Sequence, residues 1–218
     1  MPLHKYKVLQ QGQFDGFCLQ YAILNAYRAL CYPLLETADF IDSERETWQR
    51  LISITPSLHN FSSGTGSHFG EFRYSKKISR LDDDGDIRLK ESFMALASVT
   101  LSESSKNSLT LTRSNFSKIR ADTVEQSAVI LNIRGNALTR RGLVGDHWLV
   151  IVDYDEDNYY LACSYSDYLP PLDEGFSVGL SPRLKRPFNN VMEIKKLTRS
   201  VIWSETFYRM EFRKIAAR

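Results

Sequence analysis

From Trp148 to Ser164 the chain reads as two apolar runs on either side of an acidic corner. Trp148-Leu149-Val150-Ile151-Val152 leads to Asp155-Glu156-Asp157-Asn158, and Tyr159-Tyr160-Leu161-Ala162-Cys163-Ser164 follows. β-Branched and aromatic residues favour strands, and Asp and Asn favour turns, so the segment predicts a hairpin. A buried hairpin commits this part of the chain to an antiparallel sheet. Pairing Tyr154 with Tyr159 across the corner brings Ser164 to Ser166 opposite His147, the residue that opens the first run, with Asp167 just beyond.

The first half has a different period. Leu19, Ala22, Ile23, Ala26, Tyr27 and Leu30 recur at the spacing of one helix face, which predicts a helix from Cys18 to about Leu30. A second helix is expected from about Thr37 to Ile54, with Phe40, Ile41, Trp48, Leu51 and Ile52 on its apolar side and Pro56 after its end. A third is expected from Ile87 to Leu101, with Leu89, Phe93, Leu96 and Ala97 on one side. Tyr6–Leu9 reads as a short leading strand, Ser57–Gly70 as a loop and Asp82–Asp86 as an acidic turn. Further strands are expected at Leu109–Thr112, Ala128–Ile133 and between Val201 and Phe212. Helices followed by strands indicate an α+β chain, expected to form a single domain over 1–218, mainly helical to 105 and mainly strand from 106.

Composition narrows the function classes. The 218 residues contain no apolar run of the roughly 20 residues that a membrane span requires, and the N-terminus has no apolar signal segment, so a cytoplasmic protein with no membrane partner is expected. Delivery to another cell remains compatible with that pattern. The net charge of +2 is too small to indicate nucleic acid, and the basic residues between Arg183 and Arg218 read as a solvated face. Cys18, Cys31 and Cys163 cannot all pair and form no close Cys-x-x-Cys couple, so thiols are expected, with no metal and no cofactor.

Two residues carry the chemistry. Cys18 opens a predicted helix, where the unpaired N–H groups and the dipole favour the thiolate. Asp15-Gly16 permits a tight entry into that helix, and Gln11 and Gln13 offer amides for an oxyanion. Cys31 lies at the other end of the helix, where the dipole raises a thiol pKa, and Cys163 falls within a strand, so both read as small core residues. Among His4, His59, His68 and His147, only His147 is held by a rigid element next to a returning strand. A cysteine opening a helix, an upstream glutamine and a histidine opening a strand form a nucleophile–base pair in that chain order. The group orienting His147 is then Ser164 or, second, Asp167.

Gln11-Gly12-Gln13-Phe14-Asp15-Gly16-Phe17-Cys18 and Gly145-Asp146-His147-Trp148-Leu149-Val150-Ile151-Val152 resemble the papain-like cysteine peptidases, and within them the compact bacterial branch that includes the leader peptidases of bacteriocin exporters. The resemblance implies a helical half with the nucleophile packed against a sheet with the histidine. It implies Cys18 as nucleophile, His147 as base, Gln11 with the Cys18 N–H as oxyanion hole, and an Asn or Asp after the histidine strand as third member. Here Gln11 stands one residue further from the cysteine than in the family motif and Gln13 one nearer. Leu19 replaces a glycine common in the branch, and Ser164 stands where Asn or Asp is expected. The expected activity is a cysteine hydrolase that cleaves a peptide or isopeptide bond of a protein or peptide substrate. A glutamine deamidase or transglutaminase acting on a partner protein, and a catalytically inactive papain-like binding module, are the alternatives.

Overall fold

A computed structural model describes residues 8–9, 17–32, 39–56, 81–105, 108–114, 121–133, 147–164, 179–200 and 207–212. Three helices come first: α1 (Cys18–Cys31), α2 (Asp39–Ser53) and α3 (Leu81–Ser105). The strands follow, with two short helices among them: β1 (Leu109–Ser114), α4 (Ala121–Gln126), β2 (Ser127–Ile133), β3 (His147–Tyr154), β4 (Asn158–Ala162), β5 (Gly179–Leu180), β6 (Pro187–Phe188), β7 (Asn190–Glu193), α5 (Ile194–Ser200) and β8 (Phe207–Phe212).

Six strands form one antiparallel sheet in the order β1-β8-β2-β3-β4-β7, and β5 pairs with β6 in a small second sheet. β2 and β3 are apolar along nearly their whole length because they lie at the centre with both faces covered. On one face Ala128, Ile130, Trp148, Val150, Val152, Tyr160 and Ala162 share a core with α1 and with Phe93, Met94, Ala97 and Leu101 of α3. On the other, Val129, Leu131, Ile133, Leu149, Ile151, Leu161 and Cys163 meet Val124 of α4 and Leu197 of α5. The alternation of strand side chains creates these two cores, and each fully buried Leu or Ile contributes about 1.5–3 kcal/mol.

Several expectations need correction. The acidic run Asp82–Asp86 is helical and belongs to the start of α3, which begins six residues earlier than expected. Asp is common both in turns and at helix starts, so composition alone does not separate the two. Leu96, expected on the buried side of α3, is 52% exposed, while Met94 and Leu101 are buried. Val8 and Leu9 belong to no strand. Leu9 instead donates its N–H to Asn25 Oδ1 at 2.8 Å and accepts from Asn25 Nδ2 at 3.1 Å, tying the entering chain to α1. The Ser57–Gly70 loop lies outside the described residues.

The turn before β6 is held by a buried arginine. Arg186 Nη1 donates to the carbonyls of Val124, Ser127 and Val152 at 2.9–3.0 Å, and Nη2 donates to Glu125 O at 3.1 Å. Nearby, Asp153 Oδ2 accepts the N–H groups of Arg183 and Leu184 at 3.0 and 2.9 Å. Lys185 sits at φ 55 between them, in the left-handed region that a side chain disfavours. Lys185→Gly is expected to raise stability by about 0.5 kcal/mol, since relief of the left-handed conformation outweighs the added freedom of the unfolded chain. Urea denaturation checks this, and a lower midpoint would contradict it.

Candidate active site

Cys18 is the first residue of α1 and 5% exposed. No side chain caps this end of the helix and no acidic residue lies in its first turn, so nothing in that turn offsets the dipole at the thiol. Phe17, Tyr21 and Trp48 form an aromatic wall beside the same turn, with Trp48 centred 6.2 Å from Phe17 and 4.6 Å from Tyr21. Cys31, the last residue of α1, has its thiol pushed up to about 12 by burial, against a weaker opposing hydrogen bond with Tyr27. Its core role agrees with the sequence.

His147 is the first residue of β3 and is buried. Burial lowers its pKa to about 4, so the imidazole is neutral near pH 7. Its Nε2 lies 3.2 Å from Sγ of Cys163. Either group can donate, the thiol to a bare nitrogen or the N–H to sulfur.

The hairpin explains why the contact falls on Cys163. Tyr154 pairs with Tyr159 and Asp153 with Tyr160, as the simple register predicts, but the register then shifts and Ile151 pairs with Leu161, Val150 with Ala162. Val152 is thus the extra residue of a bulge. Were Val152 paired in a regular register, Ser164 would share a face with Leu149 and His147. With it Cys163 takes that face, because a shift of one residue exchanges the two sides of a strand. Ser164, expected to orient His147, is buried one residue further on.

Cys163 is itself held in place. Its N–H donates to Asn189 Oδ1 at 2.9 Å, and Asn189 Nδ2 donates back to its carbonyl at 2.7 Å, while the Asn189 N–H donates to Leu161 O at 3.0 Å. The Asn189 amide therefore continues the sheet pattern one residue past the end of β4. The sequence marks Cys163 only as a small core residue of a strand and gives no signal for Asn189. A bulge leaves no compositional mark, and the Asn189–Cys163 pairing spans 26 residues.

The structure thus brings His147 together with Cys163 on the face covered by α4 and α5. Cys18 belongs to the core of the other face, heading the helix that packs against β3 and β2. That same face also holds buried polar atoms without a partner, Trp148 Nε1 and Asn132 Oδ1, with Lys90 Nζ 5.3 Å from the centre of the Trp148 ring. Gln11, Gln13 and Asp167 lie outside the described residues. Among the described residues, no three His, Cys, Asp or Glu side chains converge to hold a metal ion, and no helix is long and apolar enough to cross a membrane.

By sequence the chain matches no protein-family model and no curated protein. In structure it is similar to a candidate C39-like peptidase from Bacillus anthracis, at 10% identity and a TM-score of 0.33, over 57% of this chain and 60% of that one.

Proposed function

We propose that the chain is a papain-like cysteine hydrolase in which Cys18 is the nucleophile and His147 the base. The observation that supports this most is the fixed, neutral imidazole. His147 opens the strand against which the Cys18 helix packs, and its Nε2 is engaged by Cys163. In the tautomer in which Nε2–H donates to the sulfur of Cys163, Nδ1 is bare and is the nitrogen that accepts the proton of Cys18. Cys18 and His147 are rooted on opposite faces of the sheet, so the proposed transfer requires the ring, at the first position of β3, to reach round the strand end to the helix N-terminus.

In the reaction Cys18 gives its proton to Nδ1 and its sulfur bonds to the substrate carbonyl carbon. The amide C–N bond then breaks as the leaving amine takes the proton from the imidazolium. Water, losing a proton to the same nitrogen, attacks the thioester, and the acid leaves as the proton returns to Cys18. The N–H of Cys18, with the side chain of Gln11 or Gln13, holds the oxyanion. The aromatic wall of Phe17, Tyr21 and Trp48 suits an apolar side chain beside the scissile bond. Peptide, isopeptide and glutamine amides all pass through this thioester.

At pH 7.5 iodoacetamide is expected to label Cys18 well before Cys31 or Cys163, and His147→Ala is expected to slow that labelling about 100-fold, the scale of a lost general base. Intact mass and peptide mapping locate the label. Labelling indifferent to His147 would sink the hydrolase. It would favour a non-catalytic papain-like binding module, for which the thiol in place of a carboxylate beside His147 is the supporting observation.

A further inference from the structure

We propose that Cys163 is the positioning residue of His147, a thiol doing the work of the third member of the site, and that Asn189 holds that thiol in place. The catalytic meaning of this assignment rests on the hydrolase proposed above. Three observations carry the contact itself. Sγ of Cys163 lies 3.2 Å from Nε2 of His147. The bulge at Val152 puts both side chains on one face. The Asn189 amide grips the Cys163 backbone through both its N–H and its carbonyl, so the sulfur projects from a fixed point.

A carboxylate in this place would orient the ring and also balance the positive charge that it gains. A thiol, ordinarily uncharged at pH 7, supplies only the first of these. The same face of the sheet carries an apolar cluster. β2 presents Leu131 and Ile133 to this face, β3 Leu149, β8 Phe207, α4 Val124 and α5 Leu197. Tyr159 belongs to this core, where burial raises its pKa, and Tyr154 packs against it. Of the charged residues described on the two covering helices, Glu125 is exposed and paired with Arg183, and Lys195 and Lys196 are exposed. The thiol of Cys163 thus offers the ring a hydrogen-bond partner without a carboxylate's charge, and burial keeps the imidazole neutral near pH 7.

Cys163→Asp and Cys163→Ala, compared with wild type, test this through the ring nitrogens of 15N-labelled histidine. The His147 titration should move up by about two pH units in Cys163→Asp, the usual effect of an adjacent carboxylate, and stay low in Cys163→Ala. Cys18 alkylation at pH 6 should rise about tenfold in Cys163→Asp, as more of the couple becomes thiolate and imidazolium. Equal titrations in the two variants would overturn the assignment. A raised titration with unchanged Cys18 labelling would uphold the contact and overturn the hydrolase, so the two failures are distinguishable. If the buried aspartate unfolds the chain, Cys163→Asn makes the same comparison without a charge. The amide should fix the Nε2–H tautomer, while Asn189→Ala, which releases the Cys163 backbone, should mix the tautomers. Identical ring-nitrogen shifts in Cys163→Asn and Cys163→Ala would overturn the proposal.

Discussion

On lowering the pH from 7 to 4, the wild-type chain should lose about 3 kcal/mol more stability than a His147→Gln variant. The ordinary histidine pKa is 6.5, and burial lowers that of His147 to about 4. As pH falls through 6.5 the unfolded chain takes up a proton that the folded chain refuses until about 4. Within that window the unfolded state binds more protons, so stability falls with pH. The contribution is intact above 6.5 and gone below 4. Asp155 pushes in the same direction. Burial works to raise its pKa, but hydrogen bonds from Tyr160, Asp157 and Asn158 hold it below the usual carboxylate range, so its contribution is also lost in acid. Asp155 is present in both proteins and cancels in the comparison. Urea unfolding at the two pH values gives the difference directly. Parallel losses in the two proteins would mean that the imidazole is open to water.

Arg186→Met should lower stability by about 3–5 kcal/mol at any pH near neutrality, the largest single effect expected outside the apolar core. The guanidinium holds four carbonyls, from Val124, Glu125, Ser127 and Val152, and thereby fastens α4, β2 and β3 to the turn before β6. Methionine fills much of the volume and satisfies none of these acceptors. Arg186→Lys keeps the charge but lacks the planar fork that reaches several carbonyls at once, so it should recover only part of the loss. Denaturation midpoints of the three proteins test this order. A Lys variant equal to wild type would show that charge, rather than the fork, holds the turn.

The chain declares some of this structure plainly. α1, α2 and the β3–β4 hairpin follow from the spacing of apolar residues, because each buries a face whose period the sequence records. The sheet order is not legible in that way. β8 lies between β1 and β2 although it is the last of the described strands, and its pairing with β1 spans about a hundred residues with no local signal. The short elements α4, α5, β5, β6 and β7 are too brief to carry a periodicity, and they form because carbonyls and amides from distant segments meet there. At the site, Cys18 and His147 stand at element ends that composition marks, whereas the contact with Cys163 depends on a bulge that it does not.

That bulge gives the hairpin a property beyond its shape. Cys163 and Ser164 are adjacent, and the count of residues between His147 and the corner decides whether sulfur or oxygen meets the imidazole. With the bulge kept, an odd change in that count swaps one for the other with no substitution at either position, whereas an even change, or loss of Val152 itself, preserves the choice. The chemistry beside His147 is thus encoded as parity. Insertions and deletions in this strand, far more than point mutations, are the changes through which such a site would exchange one orienting group for another.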